Sequence, residues 1–179
     1  MIHVAFFRNL NLGRKNCPTR VQFEQAFLDA GALTAVSFRT NGTMAFDVAS
    51  KARAAKVLAG ASARLRDACG LVEPGHIRSI GELAALVATS PFEAIEPGSV
   101  YERCVSFLAP RSRIAVDLPL ESRRGDVRVL GVVGPDVISV SIKLGSSPGS
   151  PNAFLEKLLG QAVTTRAWNT VERLVQKYA

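Results

Sequence analysis

The alternation of two hydrophobic periods along the first 78 residues does most to restrict the fold of this chain. Ile2-His-Val-Ala-Phe-Phe7 is an unbroken apolar run rich in branched and aromatic residues, the pattern of a buried strand. His3 lies inside it and reads as a core or edge histidine. A polar loop follows, and Thr19 with Gln22 three residues on forms a capping box that opens a helix. Phe23, Ala26, Phe27 and Ala30 recur at helical spacing, and Gly31 supplies the stop. Ala35–Thr40 and Thr43–Val48 flank Asn41-Gly42, which predicts a hairpin with a type I′ turn, since that turn needs positive φ at both central positions. Ser50 is expected to cap a second helix carrying Ala54, Val57, Leu58, Ala61, Leu65 and Ala68 on one stripe, ended by Gly70. Leu71–Ile77 reads as a strand interrupted by Pro74-Gly75, which predicts an edge or a bulge.

In order this is β-α-β-β-α-β, the ferredoxin-like arrangement. Ser79-Ile-Gly-Glu82 is a second capping box, opening a helix with Ile80, Leu83, Ala84 and Val87 inward. Residues 93–99 contain Pro and Gly and read as a linker, dividing a first subdomain (1–92) from a second (100–179). Tyr101–Ala109 is a predicted strand, and residues 111–124, bracketed by Pro110 and Pro119, are expected to be irregular. Asp126–Val133 and Val137–Lys143 form two further strands about Gly134-Pro135, the second with a half-polar face. A loop spans Lys143–Asn152. Ser150-Pro151 then opens a helix that Gly160 stops. A last helix takes Asn169 as N-cap and Glu172 at N3, with Val171, Leu174, Val175 and Tyr178 inward. The fold class is α+β, with the second half repeating the strand-and-hairpin theme and adding C-terminal helices.

Of the 179 residues 47% are hydrophobic, enough to exclude a disordered chain. No apolar run approaches the ~20 residues of a membrane-spanning helix, and Ile2–Phe7 is too short for a secretory h-region. Cys17, Cys69 and Cys104 are odd in number and widely spaced, pointing to a reducing cytoplasm; Cys17 alone sits in a basic loop that favours a thiolate. Net charge is +7, and residues 1–20 contain Arg8, Arg14, Lys15 and Arg20 with no acid. A second concentration runs through Arg111, Arg113, Arg123, Arg124 and Arg128, diluted by Asp117, Glu121 and Asp126. Basic residues clustered in loops are what an anion site requires.

Several chemistries lack their sequence signatures. There is no P-loop, no G-x-G-x-x-G after a strand, no G-x-S-x-G elbow, and no metal-ligand spacing for His3, His76 and the scattered cysteines. Neither a metal nor a cofactor is expected. Glu93 and Glu96 both fall in the linker. Three segments stand out instead: Arg8-Asn-Leu-Asn-Leu-Gly13-Arg-Lys15-Asn16, Arg39-Thr-Asn41-Gly42-Thr, and Asn152–Gly160 followed by Thr164-Thr-Arg166-Ala-Trp168-Asn-Thr170-Val. In combination and order they resemble the bacterial family called domain of unknown function 1697, whose patterns are R-G-I-N-V-G-G-K/R-N, S-G-N and T-T-R-N-W-N-T-V. The sequence departs from these at Asn9, at Arg14 and at Asn41-Gly42-Thr43, and Ser146–Pro151 stand where the family has Ser-Lys. The resemblance implies two tandem subdomains related to the ferredoxin-like arrangement. It implies no activity.

In a β-α-β-β-α-β sheet the first and second strands run the same way, so the Arg8–Asn16 loop and the Asn41-Gly42 turn leave the sheet at one end. That converges Arg8, Asn11, Arg14, Lys15, Arg39 and Asn41, which can hold carboxylate or phosphate through guanidinium and amide groups. The short amides can equally close turns on their own backbone. Arg166 either pairs with a carbonyl at a helix end or extends the same surface, and Trp168 packs the last helix on the core. The expected partner is an anionic ligand, either a phosphorylated small molecule or single-stranded nucleic acid. An enzyme with a site between the subdomains and a protein that self-associates through a sheet edge such as Leu71–Ile77 are the alternatives.

Overall fold

Strand β1 (Ile2–Phe7) forms where the longest early apolar run predicts it, and Val4, Ala5, Phe6 and Phe7 are wholly excluded from solvent. A computed structural model describes residues 1–109, 112, 114 and 117–179. Arg111 and Arg113 of the second basic concentration, with Ala115 and Val116 of the irregular stretch expected at 111–124, lie outside the described residues. The architecture is mixed α+β, with antiparallel sheets and five helices among the described residues. The chain divides into two compact units, Met1–Glu82 with Tyr178–Ala179, and Leu83–Lys177. Residues 83–99, read above as the end of the first subdomain and a linker, therefore fall in the second unit.

In the first unit, α1 (Arg20–Asp29), β2 (Thr34–Ser37), β3 (Thr43–Asp47), α2 (Lys51–Cys69) and β4 (Gly75–Ser79) follow β1. The sheet order is β2-β3-β1-β4, every pair antiparallel, so β1 is central and runs the same way as β2. The Thr19 box is made as expected: Gln22 N–H donates to Thr19 Oγ1 at 3.2 Å, and Thr19 N–H donates to Gln22 Oε1 at 2.9 Å. It sets the start of α1, so that Phe23 and Phe27 reach the core. There Phe7, Phe23, Phe27 and Phe46 form a tilted and edge-to-face ring cluster, with centroids 5.0–6.2 Å apart. Each such pair contributes about 0.5–1.5 kcal/mol beyond the area it buries. Helix α2 buries Ala54, Val57, Ala61 and Leu65 and ends at Gly70 in the left-handed region, φ 72°. Ser50 occupies its N-cap position, but the hydroxyl makes no capping hydrogen bond there.

Two local expectations change. Leu71–Pro74 stays outside the sheet and β4 starts only at Gly75, because Pro74 has no N–H to give a ladder. The hairpin between β2 and β3 exists, but it is not a two-residue type I′ turn. Its loop closes with Phe38 N–H on the Thr43 carbonyl at 2.7 Å, and the positive φ values fall at Arg39 (66°) and Gly42 (69°), not at Asn41. Tertiary contact overrides the local turn preference, since the loop's carbonyls are engaged by neighbouring backbone.

Helix α3 (Ile80–Ala88) opens on the second capping box, where Ser79 N–H and Oγ both donate to Glu82 at 2.7 and 2.9 Å. Burial works to raise the Glu82 pKa, but these hydrogen bonds and Lys51 outweigh it and hold the carboxyl below its usual value. The second unit then runs β5 (Glu102–Phe107), β6 (Leu120–Glu121), β7 (Val127–Val133), β8 (Asp136–Ser141), β9 (Lys143–Leu144), β10 (Ser147–Pro148), α4 (Pro151–Leu159), β11 (Thr164–Ala167) and α5 (Trp168–Tyr178). Its main sheet has the order β11-β5-β8-β7-β6. All of β8 is buried, including the serines that predicted a half-polar face, and Ser141 Oγ donates to the Gly149 carbonyl at 2.7 Å. The loop expected at 143–152 holds the small β9–β10 hairpin. Ser150 caps α4 by accepting from Ala153 N–H, Pro151 stands in the first turn, and Leu155 joins Leu108, Val129, Val137 and Val163 in a core. Strand β11, paired with β5, has no counterpart in the sequence reading. Helix α5 starts at Trp168, which puts Asn169 within its first turn, not at the cap.

Two outcomes are expected. A Cβ at Gly42 would lie 2.7 Å from Leu10 Cβ and 3.2 Å from Phe7 Cβ, on a backbone at φ 69°. Gly42→Ala therefore destabilises by roughly 2–4 kcal/mol in denaturant unfolding, against about 0.5 kcal/mol for a neutral surface change. Burial, the largest cause, and nearby Glu102 push the Cys104 thiol up to about 12. In a thiol titration of the native protein at pH 8, Cys104 stays unreactive until denaturant is added, while half-buried Cys17 and Cys69 react first.

Candidate functional site

The direction of β1 sends the chain into a loop, residues 8–19, at the sheet end where the β2–β3 loop, residues 38–42, also emerges. Backbone hydrogen bonds join the two. Phe7 N–H donates to the Gly42 carbonyl at 2.8 Å, and Leu12 N–H to the Thr40 carbonyl at 2.8 Å. Leu10, only 2% exposed, anchors the first loop in the core against Gly42. Within that loop Gly13 N–H reaches the Pro18 carbonyl at 2.9 Å and Cys17 N–H the Arg14 carbonyl at 3.0 Å. Four non-glycine residues have positive φ among the described residues, and Asn9, Asn16 and Arg39 of these two loops are three of them. Such conformations cost of order 1–3 kcal/mol each and persist only where surrounding structure holds them. The rim is built, not loose.

Arg14, Lys15 and Arg39 project from it into solvent and make no ion pair among the described residues. Asn11 is exposed as well, and its backbone carbonyl accepts from Arg14 N–H at 3.2 Å. Asn41 is half-buried and closes its own turn, accepting from Thr43 Oγ1 at 2.9 Å, as the alternative reading of the short amides expects. Arg8 differs from expectation. Its guanidinium donates to Glu73 Oε2 at 2.6 Å, and Asn9 Nδ2 lies 3.4 Å from the other oxygen. An internal carboxylate from 65 residues along the chain already neutralises it.

Arg166 is also not a solvent-facing cation. It belongs to β11 of the second unit, is 8% exposed, and donates to the Thr165 carbonyl at 2.9 Å. Burial lowers its pKa to about 10, still charged at neutral pH. Trp168 is buried as expected and meets Phe92 edge-on at 5.1 Å.

The second unit carries a feature that sequence reasoning missed. A cleft of about 270 Å³ opens at the start of β5, lined by Tyr101, Glu102, Arg103, Trp168, Asn169 and Glu172. The sequence reading gives Trp168 to the core, Asn169 and Glu172 to the start of the last helix and Tyr101 to a strand start, and the short β11 that brings Trp168 beside β5 is the element it lacks. Among the described residues no three His, Cys, Asp or Glu side chains gather to hold a metal ion. No described helix is long and apolar enough to cross a membrane.

Comparison with known proteins fits this geometry without adding a chemistry. No curated protein matches the chain. A solved structure, that of the conserved bacterial protein SP0830 from Streptococcus pneumoniae, is similar over 98% of this chain and 97% of its own, with a TM-score of 0.67 and 17% identity. At that identity the likeness is one of fold. Residues 1–134, which include the whole two-loop rim, match a family described as protein of unknown function (DUF1697), and the chain belongs to that family.

Proposed function

We propose that the rim formed by residues 8–19 and 38–42 binds an anionic ligand through its phosphate or carboxylate groups. The observation that carries this is the pair of backbone hydrogen bonds, Phe7 to Gly42 and Leu12 to Thr40, that holds two chain-distant loops together beside Arg14, Lys15 and Arg39, which join no ion pair among the described residues. Cations held near one another without a counterion repel, and an incoming polyanion relieves that repulsion. Arg14 and Arg39 supply planar donor forks suited to a phosphate, and Lys15 adds a point charge. Asn11 adds an amide. Arg8 contributes less, since it is already engaged by Glu73.

A phosphorylated small molecule suits the rim better than single-stranded nucleic acid. Sequence-tolerant strand binding uses exposed aromatic platforms for the bases. Among the described residues the one large exposed aromatic is Tyr101, which belongs to the other unit. The wider frame of the reading is a tandem of ferredoxin-like subdomains. It is supported by the order β2-β3-β1-β4 in the first unit and by β11-β5-β8-β7 in the second, where β6 is added at the edge. The free thiols Cys17, Cys69 and Cys104 favour the cytoplasm as its compartment.

The test is calorimetric titration with tripolyphosphate, and anisotropy with a labelled single-stranded oligonucleotide, each at about 50 and 200 mM salt. Tripolyphosphate is expected to bind with affinity that falls as salt rises, and more tightly than the oligonucleotide per charge. Arg14→Ala and Arg39→Ala are each expected to weaken binding by roughly three- to tenfold and to lower the salt slope by about one. Absent binding at low salt, or binding indifferent to both substitutions, would remove the proposal.

A further inference from the structure

The first unit gathers cations at one sheet end beyond the two loops of the rim. Phe7 pairs with Gly75, so the chain enters β4 at the end where residues 8–19 leave β1. The segment that leads into β4, residues 70–74, lies against that loop. Arg8 N–H donates to the Pro74 carbonyl at 3.2 Å, and Leu71 belongs to the core cluster that holds Leu10. Helix α2 ends at Cys69, just before this segment, and Arg66 stands three residues from its end, about 5 Å along the axis at 1.5 Å per residue. Arg20 is the first residue of α1, directly after the loop. Both arginines are exposed, and neither joins an ion pair among the described residues.

The nearby acids offer these cations little. Glu73 is engaged by Arg8 and Asn9, and the Glu24 carboxylate accepts from Ser37 N–H at 2.9 Å. Asp67 follows Arg66 in the helix, and consecutive helical residues do not face one another. Four segments thus bring Arg39, Arg14, Lys15, Arg20 and Arg66 to one end of one sheet. A single phosphate group offers three acceptor oxygens, too few and too close together for five cations on separate segments. We propose, on the reading of the rim as an anion site, that its ligand is a linear polyphosphate chain long enough to pass from the rim loops to Arg20 and Arg66. Such a chain carries charge along its whole length and has no bases to seat. A nucleic-acid strand would need aromatic platforms, and the first unit has no exposed aromatic side chain among its described residues.

The experiment is calorimetry on the full-length protein with pyrophosphate, tripolyphosphate and a linear polyphosphate of about ten phosphates, beside a single-stranded oligonucleotide of equal charge, at about 50 and 200 mM salt. The long chain is expected to bind at least tenfold more tightly than tripolyphosphate, after allowing for the added registers it offers. Its salt slope is expected to be steeper by about 1.4, roughly 0.7 for each of the two further cations. Arg20→Gln and Arg66→Gln, both at exposed positions, are each expected to weaken the long chain by roughly three- to tenfold and to change tripolyphosphate by less than about twofold. Asp67→Asn is expected to tighten the long chain. No gain beyond the added registers overturns the proposal, as does a long chain indifferent to both arginine substitutions, or an oligonucleotide that binds as tightly. Arg14→Ala separates this from the reading beneath it. If it weakens tripolyphosphate while Arg20→Gln and Arg66→Gln leave the long chain unchanged, the rim stands as an anion site and the longer track falls. If no polyphosphate binds at low salt, both fall.

Discussion

Everything at the candidate rim follows from the burial of one strand. Val4, Phe6 and Phe7 are wholly removed from water, each worth roughly 1.5–3 kcal/mol of transfer free energy, and both edges of β1 are paired. A shift of one residue would exchange Ala5 and Phe7, which pack in the core with Phe23, Phe27 and Phe46, for Val4 and Phe6 on the other face, so the packing of differently shaped side chains holds the register. The residues that follow inherit this precision. Arg8 N–H is committed to the Pro74 carbonyl at 3.2 Å, and Leu10 returns to the core two residues later. The loop is thus pinned at its start and again at Leu10 and Leu12, and between these anchors Asn9 reaches Glu73 while Asn11 is exposed.

Charge placement in the first unit follows distance from those anchors. Arg8, beside the sheet, finds Glu73 just before β4, and that pairing is half-shielded from water. Arg14 and Lys15, beyond the last anchor, pair with no acid among the described residues, and residues 1–20 contain none to offer. Arg39 sits in the left-handed region, where a residue with a Cβ is strained, and the bond from Leu12 N–H to the adjacent Thr40 carbonyl holds it there. The Arg39 side chain is itself exposed, so the conformation is set by the backbone bonds of the two loops and not by burial of that side chain.

Capping signals were legible in the sequence because they are local: Thr19 with Gln22, Ser79 with Glu82, and Ser150 with Pro151 each act within four residues. The central strand was legible because its apolar run is unbroken. Three things were not. Strand β11 has four residues, one of them Arg166, and too few positions to show a period. The Asn41-Gly42 dipeptide signals its own preferred turn, but the Gly42 carbonyl is claimed by Phe7 and the preceding Thr40 carbonyl by Leu12, neighbours only in the folded state. The Arg8–Glu73 pair spans 65 residues, beyond the reach of any local pattern. Of the expected site residues, the structure leaves Asn11, Arg14, Lys15 and Arg39 facing solvent, gives Asn41 a turn to close, and engages Arg8 and Arg166 elsewhere.

The same limits of reach explain why a basic loop can be read from sequence and a mixed-charge cleft cannot. A cluster of like charges is visible as composition, since neighbouring residues carry one sign. A cleft lined by both signs is not, because its residues come from elements that only the folded chain brings together. In the second unit β5 supplies Glu102 and Arg103, and β11 delivers the chain to Trp168 and Glu172 beside them. Adjacent in sequence yet alternating across the strand, Glu102 and Arg103 offer no run of one sign for a local pattern to register.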